Sequence, residues 1–172
     1  MTPAKRWLDS YRAALEEFNA SNAAIDILHD PDEFDQWKAT IFEYFEDHRM
    51  GRNLPEGYVP DSTFWLVDGD TYLGTGNIRH RLTPELEQFG GHIGYAIRPS
   101  YWNMGYGTLQ LRLLLAEAAK LGLTHVLLTC DESNLASARV MEKCGGVWQD
   151  TIEQAIGGPP RRTRRYWIAT EQ

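Results

Sequence analysis

The sequence predicts an α/β domain, more closely α+β: a mixed, mostly antiparallel central sheet flanked by helices. Three observations lead there. The β-rich runs "TFWLV", "TYLGTGNIRH" and "HIGYAIR" follow one another as a meander does. A glycine-bearing loop and the helix it opens, within "SYWNMGYGTLQLRLLLAEAAK", then separate them from the short apolar run "THVLLT". A second helical segment precedes two closing strands, so the order ββ, β, α, β, α, ββ describes a layered sheet with helices on its faces. A length of 172 residues suits one domain with a single substantial core, here residues 1–172.

Element by element, Trp7, Leu8, Tyr11, Leu15 and Phe18 recur at helical spacing and predict an amphipathic helix from Pro3 to about Asn19. "DPDEF" sets Asp30 as N-cap, Pro31 at the first helical position and Glu33 three residues after the cap. Phe34, Trp37, Ile41, Tyr44, Phe45 and His48 then mark one face of a second helix. "MGRNLPEGYVPDS", with two prolines, two glycines and no periodicity, reads as a long loop. Asp68-Gly69-Asp70 is the turn of an antiparallel hairpin, and Pro99 closes the strand "HIGYAIR". "ASARVMEKC" is a helix stopped by Gly145-Gly146, and "GVWQDTIEQ" and "RRYWIA" are final strands about "AIGGPP".

Seventeen basic against 24 acidic residues give a formal charge of -7, which repels nucleic acid and anionic membrane and favours a cationic or neutral partner. Cys130 and Cys144 are too few and too separated for a disulfide framework or a zinc knuckle, so no metal is expected and a reducing cytoplasm is the simplest compartment. No run has signal-peptide or membrane-span character. Cys130 has no His or Asp in a nucleophile's arrangement and reads as structural. "RRTRR" at 161–165 reads as a solvated hairpin, whereas Arg79 and Arg81, on one face of their strand, are candidates to recognise an acceptor carboxylate.

"SYWNMGYGTLQLRLLLAEAAK" carries the chemistry. A helix starting near Gly107 leaves several backbone N–H groups without intrahelical partners, and its dipole adds about half a positive charge there. Glycines at 105 and 107 let a bulky oxyanion approach the main chain, and Thr108 adds a hydroxyl. No Lys or Arg lies between Tyr101 and Leu111, so backbone would do the work of a cation. Gly105-Tyr106-Gly107 also reads simply as a tight strand-to-helix turn. The loop lacks the Gly-Lys-Ser/Thr ending of a nucleoside triphosphate P-loop and the third glycine of a dinucleotide fold.

"IRPSYWNMGYGT" resembles the strand, proline and pyrophosphate loop of the GNAT superfamily of acyl-CoA-dependent N-acetyltransferases. "DESNLASARVMEKCGG" is similar to that family's second CoA segment, and "RRYWI" to its last strand, so the resemblance covers most of the chain and is closest from Gly91 to Gly146. It implies a GNAT-type fold, with residues 1–60 as N-terminal helices and acceptor loop and 91–146 as the acetyl-CoA-binding core. Acetyl-CoA would be the co-substrate. The main-chain amides of Asn103, Met104, Gly105, Tyr106, Gly107 and Thr108 would hold its pyrophosphate. The backbone of Tyr95 and Ile97 would pair with the pantetheine arm in a splay between strands 92–98 and 125–130, and Asn134 and Ser137 would add polar contacts. Asn134 or Ser133 is equally a good N-cap for the helix that follows.

Two positions depart from the family pattern. Trp102 stands where Arg or Gln is usual, which leaves Arg98 or Arg112 as distant substitutes. Met141 stands where a tyrosine often protonates the departing thiolate, and methionine has no proton to give. The implied reaction is direct attack of a primary amine, from a small molecule or a peptide, on the thioester, with a backbone N–H around Tyr95 to Ile97 at the oxyanion. His92 is the candidate base, although it has opposite parity to Ile93, Tyr95 and Ile97 along the strand, and a structural histidine is an equal reading. His80 and Glu87 are weaker alternatives. The aromatic second helix reads as core, and the loop at 51–62 as a shaper of acceptor specificity. Nucleic acid and membrane are not expected partners, and the reading admits a homodimer. The alternative is a catalytically silent acyl-CoA-binding module of the same fold.

Overall fold

The computed structural model describes residues 1–21, 31–154 and 160–170. A 3-10 turn, Lys5–Trp7, leads into α1, Leu8–Ala20, whose Tyr11, Ala14, Leu15 and Phe18 are buried. The second helix is not continuous. A 3-10 turn, Pro31–Glu33, runs into a single turn, α2 (Phe34–Trp37), and α3 begins at Ile41 and ends at Met50. Both pieces pack on one aromatic cluster, Trp37 edge-on to Tyr11 of α1 and Phe45 on Trp65, so tertiary packing sets the course of the segment over its periodicity. The expected cap at Asp30 lies outside the described residues. Gly51, at φ 68, closes α3 in the left-handed conformation that glycine adopts without strain.

β1 (Asp61–Asp68), β2 (Thr71–Arg79) and β3 (Ile93–Ile97) form one antiparallel sheet in the order β1-β2-β3. The link from β2 to β3 carries a short helix, α4 (Pro84–Gln88), capped by Thr83, whose hydroxyl accepts from Leu86 N–H. This helix was not among the expected elements, although "TPELE" carries both the cap and the proline at the first position. After α5 (Tyr106–Lys120), β4 (His125–Asp131), α6 (Leu135–Lys143), β5 (Val147–Gln154) and β6 (Arg161–Ala169) complete the chain, with strand order β4-β6-β5. The expected central sheet is thus two three-stranded antiparallel sheets set side by side.

The main core lies under α5 and α6, where Leu111, Leu114, Leu115 and Met141 meet Ile78 and Ile93 of the first sheet and Val126, Leu128 and Tyr166 of the second. A second cluster, around Tyr11, Trp65, Tyr72 and Ala96, packs α1 on the opposite face of the first sheet.

Candidate active site

The two sheets are tied at the start of β3, where Gly90 N–H donates to Thr129 Oγ1 at 2.9 Å and His92 meets Leu127. His92 N–H donates to the Leu127 carbonyl at 2.7 Å, and Leu127 N–H donates back to His92 Nδ1 at 2.9 Å. Gly91 makes this approach feasible, because a Cβ there would stand 2.3 Å from the Leu127 oxygen, and its φ of +60° disfavours other residues. Beyond this apex the described residues show no bond between β3 and β4, so the strands part as a wedge.

Which groups face the wedge follows from register. Arg98 N–H donates to the Leu73 carbonyl and Arg79 N–H to the His92 carbonyl, so the bonded pairs of β2 and β3 involve the even-numbered residues of β3. Antiparallel alternation then turns the N–H and C=O groups of Ile93, Tyr95 and Ile97 away from β2 and toward the opening. On the other side, Thr170 N–H donates to the Thr124 carbonyl and Glu132 N–H to the Arg162 carbonyl. The same alternation turns the main chain of Thr129 toward the wedge. Both edges therefore present main-chain groups that a third extended segment could bond.

The wedge runs out onto the loop before α5. Asn103 has a φ of 61° and Gly105 one of 87°, which turn the main chain inward. Among the described residues, the amides of Asn103, Met104, Gly105, Tyr106, Gly107 and Thr108 find no acceptor, and the helix ladder begins with Leu109 N–H to the Gly105 carbonyl. Six adjacent donors at the positive end of a fifteen-residue helix suit a pyrophosphate. The space around Gly105 is open, with nothing within 4 Å of the point where a Cβ would stand. Gly107 differs: a Cβ there would meet Val140 Cγ2 at 3.3 Å, so this glycine serves the packing of α5 on α6 while its amide stays available.

Of the two cations suggested as substitutes at Trp102, Arg98 is turned away from the loop. Arg98 is committed to Glu17 of α1, through Nε at 2.8 Å and Nη2 at 2.6 Å, and the other Glu17 oxygen accepts from Ser100 N–H. Trp102 instead donates its indole N–H to the Ile97 carbonyl, which leaves Ile97 only its N–H for a ligand. Arg79 is also used internally, with Nη1 on the Gly90 and Gly91 carbonyls, so it is not displayed for an acceptor carboxylate. Arg162 and Arg165 of the basic run pair with Glu132 and Asp150.

Side chains on the α5–α6 side of the wedge include one hydroxyl pair. Tyr95 Oη and Ser137 Oγ lie 3.0 Å apart, joining β3 to α6. Burial pushes the Tyr95 phenol up to about 12, against the lowering effect of the Ser137 hydrogen bond, so it stays protonated at neutral pH. Asn134 caps α6, its Oδ1 accepting from Ser137 N–H at 3.0 Å. Met141 is 1% exposed inside the core, so a tyrosine at this position would have no room. Cys130 is buried and its thiol is raised to about 11 by burial, which makes it no nucleophile.

His92 has the parity of Ala96 and so belongs to the face toward α1, with the Trp167 ring edge-on at 6.2 Å. Burial, aided by Arg79, lowers its pKa, so the ring is neutral at neutral pH. An amide can only donate, so the Nδ1 facing Leu127 is the acceptor and the proton sits on Nε2. His80 Nε2 bonds Ser62 Oγ at 2.9 Å, and burial likewise lowers its pKa.

A two-sheet fold that ties at the start of β3, splays into an unpaired wedge and ends on unbonded amides at a helix start suits an acyl-CoA-type transferase. The family model of the acetyltransferase (GNAT) domain matches residues 11–147, and the chain belongs to this family. An uncharacterised N-acetyltransferase of Bacillus subtilis strain 168, YnaD, is 27% identical over 132 residues, which is 66% of this chain and 74% of that protein. Among solved structures, RimJ of Mycobacterium smegmatis in complex with CoA-disulfide superposes with a TM-score of 0.73 at 16% identity, over 99% of this chain and 80% of that one. The microcin C7 self-immunity acetyltransferase MccE, in complex with acetyl-CoA and AMP, gives 0.70 at 12% identity, over 98% and 90%. These last two are likenesses of fold.

Proposed function

We propose that this chain transfers the acetyl group of acetyl-CoA to a primary amine of a small molecule or peptide by direct attack. The observation that carries the reading is the wedge whose facing edges at Tyr95, Ile97 and Thr129 are unpaired and which opens on the free amides 103–108. RimJ and MccE, which share the fold, are described with CoA-disulfide and acetyl-CoA. Acetyl-CoA supplies the reactive thioester. The Tyr95 main chain and the Ile97 N–H hold the pantetheine arm as a third strand, and amides 103–108 hold the pyrophosphate. Buried thiols at Cys130 and Cys144, rather than a disulfide, fit a reducing cytoplasm.

In the reaction the amine nitrogen bonds to the carbonyl carbon, the carbon–sulfur bond breaks, and the nitrogen releases a proton. Whichever of the Tyr95 and Ile97 N–H groups the arm leaves unbonded stabilises the negative charge growing on the carbonyl oxygen. The Tyr95–Ser137 pair stands in for the phenol absent at Met141. A thiol leaves with a pKa near about 8.5, so a hydrogen bond from these hydroxyls to the sulfur suffices and full transfer from so weak an acid is not required. His92 is the titratable group at the apex, but its only neutral lone pair is occupied by Leu127 N–H. A water relay therefore fits proton removal better than direct uptake by His92.

The test is a panel of amines with detection of released thiol, paired with melting curves. A ligand at 100 times its dissociation constant adds about 2.7 kcal/mol of stability. Acetyl-CoA is expected to raise the melting temperature while NAD and ATP at the same concentration do not, and at least one amine should release thiol. Equal shifts with all three ligands would remove the CoA assignment. A shift with acetyl-CoA but no turnover with any amine would make the protein a silent acyl-CoA-binding module.

A further inference from the structure

We infer that the acceptor carries a second positive charge, which is held at Asp61 away from the reacting amine. The inference rests on the proposed acetyl transfer, and three features of the acceptor side of the sheet support it.

The first is a half-buried carboxylate set in an aromatic rim. Asp61 opens β1, with its side chain 14% exposed, and Oδ2 lies 2.9 Å from His48 Nδ1. His48 is 6% exposed and fixes the carboxylate in place, while Oδ1 has no bond among the described residues. Over His48 stand two exposed rings, Tyr44 with its centroid 4.0 Å away and Tyr58 at 6.2 Å. A carboxylate flanked by tyrosine faces is the chemistry that holds an alkylammonium, through charge and cation–π attraction together.

The second is charge accounting. Arg49, the nearest cation on the same helix, is engaged by both oxygens of Glu46, and the Arg79 guanidinium points to Gly90 and Gly91. His80 is kept neutral by burial. Among the described residues, then, no side-chain bond or ion pair engages Asp61 Oδ1, in a protein whose net charge of -7 already draws cations.

The third is position. Asp61 pairs with Arg79, and Arg79 N–H bonds the His92 carbonyl, so Asp61 lies in line with the wedge apex, two strands away or roughly 10 Å. One pair further along the same face, Thr63, Asn77 and Gly94 form the next row. Asn77 Oδ1 is buried without a partner, and Gly94 beside it is only half-buried, next to the Tyr95 main chain. An amine reaching the thioester across Gly94 would pass Asn77 Oδ1, which can accept a proton-bearing nitrogen's hydrogen bond.

The test compares straight-chain diaminoalkanes of increasing length with the matching aminoalkanes, using the full chain saturated with acetyl-CoA or, for binding alone, with CoA. In the wild type the best diamine should exceed its monoamine by tenfold or more in kcat/KM, with an optimum in length. Asp61→Asn should cut that ratio about tenfold, and Tyr58→Ala should cut it several-fold while leaving the Asp61–His48 hydrogen bond in place. Calorimetric binding to the CoA complex should show the same preference without turnover. A wild-type ratio near one, or a preference unaltered by both substitutions, overturns the inference. If no amine turns over, the acetyl-transfer reading fails, and the binding preference, present or absent, still decides the site.

Discussion

His92 illustrates how a single residue carries a structural and a chemical role at once. Its folded pKa is lowered by burial first and by Arg79 second, so below about pH 6.5 the unfolded chain binds more protons than the folded one. The stability that His92 confers is therefore complete above pH 6.5 and is lost as pH falls toward the lowered folded value. Melting curves between pH 5 and 7 should show a falling midpoint in the wild type and a flatter one in His92→Asn, which keeps an acceptor for Leu127 N–H without the titration. In kinetics, a pH–rate profile of that variant parallel to the wild type would remove His92 as the base and leave the water relay. Its neighbour Gly91 allows a sharper expectation. Gly91→Ala places a methyl 2.3 Å from a backbone oxygen at positive φ, so a loss of roughly 2–4 kcal/mol in denaturant unfolding is expected.

At the scale of elements, the packing of α5 and α6 on the wedge decides which substitutions touch binding and which touch folding. Gly107 faces Val140, so Gly107→Val should cost about 1–3 kcal/mol through overpacking, read as a lower melting temperature even without ligand. A variant with unchanged melting would show that α6 yields there. Across the wedge, Ser137→Ala should lower kcat on the order of tenfold to a hundredfold with little change in acetyl-CoA binding, if its hydroxyl assists the departing sulfur. An equal loss in binding and none in kcat would assign Ser137 to holding the arm. The α1 tie is separate. Hydrogen bonds from Arg98 and Ser100 together outweigh burial and hold Glu17 below the usual carboxylate range. That contribution is present at neutral pH and is lost as pH falls through the lowered value, and Glu17→Gln should lower the melting midpoint by more at pH 7 than at acid pH.

Over the whole molecule, the acidic balance acts together with local neutralisation. Within the five-residue "RRTRR" run, Arg162 is tied by Glu132 and Glu153 and Arg165 by Asp150, so two of its four cations are spent on the protein's own surface. Polyanion columns at low salt should therefore not retain the protein, and retention that fell steeply with salt would show a basic face after all. No helix among the described residues is long and apolar enough to cross a membrane.

Much of this fold was legible in the chain, and the reasons are local. The hairpin at Asp68-Gly69-Asp70, the strand ended by Pro99, the glycine-bearing helix start and the Asn134 cap are each written in a few adjacent residues, because turn and cap chemistry act over short range. The same locality made the unbonded amides at 103–108 readable, since free amides at a helix start follow from backbone geometry alone. Other features needed the fold. The break between α2 and α3, the capture of Arg98 by Glu17, the inward turn of Arg79, the burial of Met141 and the meeting of Asp61 with His48 each join residues that the sequence leaves apart. Long-range pairing depends on which surfaces come together when two sheets and their helices pack into two clusters, and no short stretch of sequence encodes that.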